Sequence, residues 1–240
     1  MATLKVENLV KTYRGRKVVN AISLNVRSGE VVGLLGPNGA GKTTTFYLTV
    51  GIVKPDAGQV FLDQIDITQM PMYQRARKGV GYLPQEASVF RKLTVRENVM
   101  AIIETLPISK EKQTERASVL LEELGIAHLS NQKASVLSGG ERRRLEITRC
   151  LVTDPSFILL DEPFAGIDPL AVIDIKKIIV HLKKRNIGIL ISDHNVRETL
   201  EVCDKAYIVN DGAVIESGPP DHIASSEVAR RIYLGDEFRL

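Results

Sequence analysis

Residues 36–43 read Gly36-Pro37-Asn38-Gly39-Ala40-Gly41-Lys42-Thr43, and few strings of this length restrict a fold so tightly. The glycines of G-x-x-x-x-G-K-[ST] allow backbone turns closed to other residues, so successive N–H groups point inward at phosphate oxygens. Lys42 is long enough to reach the β- and γ-phosphates of a nucleotide, and the Thr43 hydroxyl to hold Mg²⁺. The flanks supply the context. Val31–Leu35 is an apolar strand ahead of the loop, and the run from Thr43 through Phe46, Tyr47 and Val50 reads as a helix stopped at Gly51. The positive end of that helix then lies under the phosphates.

A second element falls where the first requires it. Phe157-Ile158-Leu159-Leu160 is apolar throughout and ends in Asp161-Glu162. Such a run predicts a strand buried on both faces of a parallel sheet, whose carboxyl end is where ligands bind. Asp161 is placed there to hold Mg²⁺ through water, and Glu162 to orient or deprotonate an attacking water. A third element is Leu137-Ser138-Gly139-Gly140-Glu141, ahead of a charged and apolar segment. Ser138 and Glu141 have the spacing of a helix capping box. A cap does not need two consecutive glycines, which cost backbone entropy but let N–H groups approach an anion closely. A second anion-binding helix tip, in a chain that already has one phosphate loop, predicts a site shared between two subunits.

These elements, in this order, resemble the ATP-binding cassette ATPases, with Leu137–Glu141 as the signature. The resemblance spans nearly the whole chain. It implies an α/β fold: a P-loop NTPase nucleotide-binding domain with an antiparallel β subdomain and a helical subdomain. It further implies that Tyr13 stacks on adenine and that Gln85, in Tyr82-Leu83-Pro84-Gln85, is the glutamine-loop residue that contacts Mg²⁺ and the reacting centre. His194, after the strand Ile189–Ser192, becomes the switch histidine, and Asp168, in Gly166-Ile167-Asp168-Pro169, joins the nucleotide site. Gly36–Thr43 with Thr44, and Ser138-Gly139-Gly140-Glu141, are its ATP contacts. Other stretches resemble, more narrowly, the ATPase subunits of lipopolysaccharide export transporters: Tyr82–Leu93, Leu137–Glu146, Asp161–Pro169, Asp193–Glu198 and the tail Tyr233–Leu240. Leu145, Thr148, Cys150 and Ser192 depart from the commoner pattern, away from the phosphate contacts. The ATPase subunits of branched-chain amino acid importers have a similar core.

Composition sets limits. With 240 residues the chain supports one α/β domain with a subdomain. No run of 18 or more apolar residues occurs, so no membrane-spanning helix is expected. The first residues begin an alternating strand and do not read as a signal peptide. Cys150 and Cys203 lack metal-ligand spacing and read as reduced, buried thiols. The net charge is +3, and the basic clusters Lys11–Lys17, Arg75–Lys78, Arg142–Arg144 and Lys183–Arg185 read as mostly solvated surface. With no aromatic platform beside them, nucleic acid is not an expected partner. His128, His181 and His222 read as surface or packing residues.

Three regions follow. Residues 1–85 hold alternating strands and the phosphate loop, 86–136 read helical, and 137–240 return to α/β, so that 1–85 and 137–240 together form the core. Thr94 and Glu97 make a capping box; Ala117, Leu120, Leu121 and Leu124 recur on one helix face that ends at Gly125. Asp168-Pro169 launches a helix through about Lys184, and Asn210-Asp211-Gly212 joins a hairpin. Val89-Phe90, flanked by Arg91-Lys92, has two readings: Phe90 and Arg91 dock a membrane partner, or Phe90 anchors the helical part inward.

The resemblance implies an ATPase, with ATP and Mg²⁺ as its cofactors, working as a head-to-tail homodimer. Its partners would be two integral membrane permease subunits at the cytoplasmic face of the bacterial inner membrane. An importer ATPase, a soluble cassette acting on DNA or ribosomes, and a non-catalytic nucleotide-binding module are alternatives. The stretch from Thr43 to Asp161 holds no heptad run for a DNA-acting coiled coil, and the chain has a single cassette where ribosomal ones usually have two. The presence of Lys42, Asp161, Glu162 and His194 disfavours a non-catalytic module.

Overall fold

A computed structural model describes residues 1–235, 238 and 240. Asp236, Glu237 and Arg239, in the tail that contributes to the narrower resemblance, lie outside the described residues. The chain opens with β1 (Thr3–Tyr13), β2 (Arg16–Arg27) and β3 (Val31–Leu35), then α1 (Lys42–Val50), β4 (Ala57–Leu62), β5 (Ile65–Asp66), α2 (Met72–Arg77) and β6 (Val80–Leu83). A helical stretch follows, with α3 (Val95–Ile103), α4 (Lys110–Glu123) and α5 (Gly139–Leu151). The last part runs β7 (Phe157–Asp161), α6 (Pro169–Lys184), β8 (Gly188–Ser192), α7 (Val196–Val202), β9 (Lys205–Asn210), β10 (Ala213–Gly218), α8 (Pro220–Ser225) and α9 (Glu227–Ala229).

Two sheets result. One is antiparallel, ordered β2-β1-β4-β5; the other is ordered β10-β9-β3-β8-β7-β6, parallel except for β10. The period of two in the central strands divides the interior. Phe157 and Leu159 of β7, with Leu190 of β8 and Val32 of β3, face Phe46 of α1 and the antiparallel sheet. Ile158, Leu160, Ile189 and Ile191 face the opposite way, against Leu145 and Ile147 of α5 and Ile175 and Ile179 of α6. Every residue of β3, β7 and β8 is buried, which is why these strands are apolar without alternation. Each large aliphatic side chain so placed contributes about 1.5–3 kcal/mol.

Local chemistry sets the boundaries. Thr94 and Glu97 close a reciprocal cap on α3, and Asp168 accepts from the Ala171 N–H with Pro169 in the first turn of α6. Asp211 and Gly212 both have positive φ (44° and 77°), the twist a two-residue hairpin turn requires. Cys203 is buried and Cys150 partly so; neither forms a disulfide.

Two arginines assigned above to solvated surface are buried. Arg75 donates to four backbone carbonyls, Leu48, Thr49, Thr68 and Met70, capping the end of α1. Arg143 of α5 donates to the carbonyls of Pro84 (3.0 Å) and Asp161 (3.1 Å) and pairs with buried Glu146. Each guanidinium meets so many acceptors that its loss of hydration is offset.

Candidate nucleotide site

The strand order β3-β8-β7-β6 brings four motifs that are distant in sequence to one sheet edge. The phosphate loop follows β3, Asp193-His194 follows β8, Asp161-Glu162 ends β7, and Gln85 lies just beyond β6.

The loop is built by what it lacks. Gly41 is the N-cap of α1 with φ +105° and has no side chain to cap the helix. The first N–H groups of α1 therefore face outward without a side-chain acceptor. A Cβ on Gly41 would collide with the Val18 carbonyl, and one on Gly36 with the Val209 carbonyl. Lys42 donates to the carbonyls of Gly36 (2.7 Å) and Pro37 (3.0 Å). Burial lowers its pKa, opposed by the nearby charges of Glu162, Asp161 and Asp193. Gly41, Lys42 and Glu162, with Asn38, Gly39, Thr43 and Thr44, line a cleft of about 320 Å³. A helix N-terminus without a side-chain cap, one lysine and one hydroxyl together fit a nucleotide's phosphates.

The carboxylates sit opposite. Asp161 is buried, and that burial, then the charge of Glu162, pushes its pKa up to about 6. Glu162 holds a left-handed backbone conformation, φ +48°, pinned by its N–H donating to the Ser192 carbonyl at 2.6 Å. A non-glycine residue here is costly by about 1–3 kcal/mol, the kind of strain found at functional sites. Its Oε2 accepts from Gln85 Nε2 at 2.7 Å and lies 3.4 Å from His194 Nδ1. His194 is exposed, and Nδ1 is 3.6 Å from Asp193 Oδ1. Asp193 is fully buried, takes the N–H groups of Phe164 and Asn195, and has its pKa raised mainly by burial. Gln85, Glu162 and His194 thus converge on one carboxylate oxygen.

Ser138 and Glu141 form the reciprocal cap on α5, and the Ser138 hydroxyl also donates to Glu141 Oε2 at 2.8 Å. These bonds lower the Glu141 pKa. The glycines between them have a packing reason as well. A Cβ on Gly140 would meet Ala171 Cβ at 2.9 Å, and one on Gly139 would meet Ile167 at 3.3 Å. The tip opens on a cleft of about 320 Å³ shared with His128, Arg144 and Asp168. Among the described residues, none lines both this cleft and that of the phosphate loop.

Tyr13 is half-exposed at the end of β1, with Lys11 Nζ 5.6 Å from its ring centroid. Val89 is buried in the core, whereas Phe90 is 46% exposed under the Arg149 guanidinium, 4.7 Å from its ring centroid. The Phe90 N–H and carbonyl are both bonded to buried Asn98, so the main chain is fixed and the ring is left outside. The inward anchor is therefore Val89. Arg91 is exposed beside it.

Sequence reasoning missed three arginines. Arg143 ties α5 to both the glutamine loop and the end of β7, Arg149 donates to the Ser88 carbonyl at 2.5 Å, and Arg16 lines the phosphate cleft. Arg143 and Arg149 stand six residues apart, about 120° apart around the helix; nothing in one segment shows which carbonyls each will meet.

A family model for the ABC transporter matches residues 19–165. The chain is 57% identical to the lipopolysaccharide export system ATP-binding protein LptB of Escherichia coli (strain K12), with 100% of both covered. It is also similar to the ADP conformation of an ATP-binding cassette of an ABC transporter: 31% identity, TM-score 0.86, 98% of this chain and 100% of that one. A dimeric cassette in a post-hydrolysis state, bound to ADP and Pi, has 25% identity and a TM-score of 0.79 over 90% of this chain and 98% of its own. Cassettes of this kind bind nucleotide and form dimers. Among the described residues no helix is long and apolar enough to cross a membrane. The family match spans more than half the chain and the cassette fold accounts for nearly all of it: this protein belongs to the ABC transporter family, as one of its ATPase cassettes.

Proposed function

We propose that the chain is the ATP-hydrolysing subunit of a lipopolysaccharide export transporter. The observation that carries the hydrolytic part is the convergence of Gln85 and His194 on Glu162 Oε2, across the phosphate cleft from Lys42. Glu162 accepts a proton from the attacking water. Gln85 and His194 hold its carboxylate in place for that step. Positioned acid–base groups of this kind are worth about 10²–10⁴ in rate. Lys42 exchanges its two loop carbonyls for β- and γ-phosphate oxygens, a favourable exchange because a bond from an ammonium to a charged oxygen is stronger than one to a neutral carbonyl. Thr43 and Asp161, with Gln85, would hold Mg²⁺, which would supply positive charge to offset that of the phosphates. Tyr13 stacks on the adenine.

The separate clefts of the two helix tips support a head-to-tail homodimer. The tip Ser138–Glu141 of one chain, with Asp168, completes the nucleotide site built on the loop of the other. Phe90 and Arg91 form a docking point for two membrane permease subunits, which keeps the protein peripheral to the cytoplasmic face of the inner membrane. Full-length similarity at 57% to a lipopolysaccharide export ATPase supports the cargo.

The test is co-purification of the chain, from detergent-solubilised membranes of its source cells. Two integral membrane subunits and bound lipopolysaccharide are expected in the eluate. Recovery with subunits that bind an amino acid and no lipid would overturn the cargo assignment.

A further inference from the structure

The open wall of the phosphate cleft holds a cation that the mechanism above does not use. β1 and β2 meet in a tight hairpin at Arg14-Gly15, both with positive φ (49° and 81°). Tyr13 and Arg16 are directly paired across it, and cross-strand partners share a face of the ribbon. Two residues on, Val18 is the unpaired residue of a bulge between the pairs Thr12–Lys17 and Lys11–Val19; it lines the same cleft as Arg16, and its carbonyl packs against Gly41 of the loop.

This wall is fixed to the loop rather than loosely draped over it. The Gly212 N–H donates to the Ala40 carbonyl (3.0 Å), and the Gly212 carbonyl accepts from the Asn20 N–H (2.7 Å). The β9–β10 turn thereby bolts β2 to the loop. Arg16 itself is exposed and, among the described residues, has no carboxylate in ion-pair range. The remaining charges create a need for it. Lys42 is faced by Asp161, Glu162 and Asp193, so the cation of the loop is already opposed by three carboxylates. A triphosphate entering this cleft meets the Glu162 carboxylate on the far wall, and Arg16 is a cation on the near one.

We infer that Arg16 is a nucleotide-binding residue: from the hairpin that carries Tyr13, its guanidinium contacts the α- and β-phosphates, on the base side of the oxygens held by Lys42. The position follows from the order along β2, with Arg16 beside Tyr13 and Val18 beside Gly41. A guanidinium is suited to this because its fork of donors matches two phosphate oxygens at once. The inference rests on the reading of Gly36–Thr43 as an ATP site.

The experiment is titration calorimetry of the purified full-length protein with ATP, ADP and AMP, comparing the parent with Arg16→Ala, Arg16→Lys and Lys42→Ala. Arg16→Ala should bind ATP and ADP each about tenfold more weakly, with AMP affected less. Arg16→Lys should recover part of the loss, since it keeps the charge but not the fork. The loss should shrink as salt is raised, because the contact is at an exposed site. A thermal melt unchanged from the parent shows that the fold is intact, as expected for an exposed side chain. Parent-like binding of ATP and ADP by Arg16→Ala overturns the inference, as does a loss confined to ATP, which would put the contact on the γ-phosphate. Lys42→Ala separates the two levels: if it too binds ATP like the parent, the loop is not the nucleotide site and the underlying reading fails.

Discussion

The two glycine-bearing helix tips are built on opposite principles. The tip of α1 is left open: Gly41 offers no cap, the backbone there takes a conformation that other residues avoid, and the one nearby ammonium bonds to loop carbonyls. The tip of α5 is closed on itself, with Ser138 and Glu141 bonded reciprocally and a carboxylate at the helix end. An open tip has its N–H groups ready for an anion and draws its binding energy from one; a closed tip is stable alone. The contrast suits their proposed roles. The first holds a nucleotide within one chain, whereas the second waits for a nucleotide carried by another.

The largest effect expected is on the chemistry under the open tip. Glu162→Gln keeps the shape but cannot take the proton, and steady-state ATP hydrolysis should fall by about 10²–10⁴. ATP binding should persist, and gel filtration with ATP should show a trapped dimer. Near-normal turnover would remove Glu162 from its role.

Next in size is the backbone. Gly41→Ala forces a side chain into φ +105° and against the Val18 carbonyl, costing about 3 kcal/mol or more and abolishing nucleotide binding. Gly139→Ala enters an ordinary helical position with a 3.3 Å contact to Ile167, so its cost should stay within about 1 kcal/mol. Melts of the two variants that came out equal would break the comparison.

A similar magnitude comes from Asp161. Its pKa is about 6 in the folded protein against 3.8 for an ordinary aspartate, so the folded state holds the proton more tightly. Stability then falls as pH rises from about 4 to about 6, by up to about 3 kcal/mol, and stays lower above. Asp161→Asn has no such proton to lose. Without nucleotide or Mg²⁺, its melting temperature should exceed the parent's most above pH 6.5, with the gap closing toward pH 4. A gap independent of pH would show that the carboxyl titrates normally.

At the closed tip, Ser138→Ala removes a cap worth about 1 kcal/mol, and melting should drop by a few degrees. ATP affinity of the single chain should be unchanged, whereas dimer formation with ATP should weaken. The smallest shift belongs to the segment that α5 holds through Glu146 and Arg149. Phe90→Ala should change stability by about 0.5 kcal/mol, because Asn98 fixes the main chain and the ring is 46% exposed. A large drop in melting would mean that the ring packs inward and would remove it as a docking residue.

Much of this was legible in one dimension. The phosphate loop, both capping boxes, the N-cap and proline of α6, and the doubly buried strands depend on residues within a few positions of one another. Their physics is local: glycine conformations, side-chain-to-backbone bonds and the periods of strand and helix. That Gln85, Glu162 and His194 serve one site could be expected from the resemblance, but their meeting at one oxygen depends on the strand order β3-β8-β7-β6. The arginines mark the limit. Arg75 and Arg143 sit in runs of charge that resemble solvated surface, and both are buried because carbonyls from distant segments converge on them. Arg16 joins the phosphate cleft from β2, a strand that the β9–β10 turn bolts to the loop. A charge declares its type in sequence, but its partners are chosen by the packing of elements that are far apart along the chain. The tertiary structure alone decides whether it faces water, a carbonyl or a ligand.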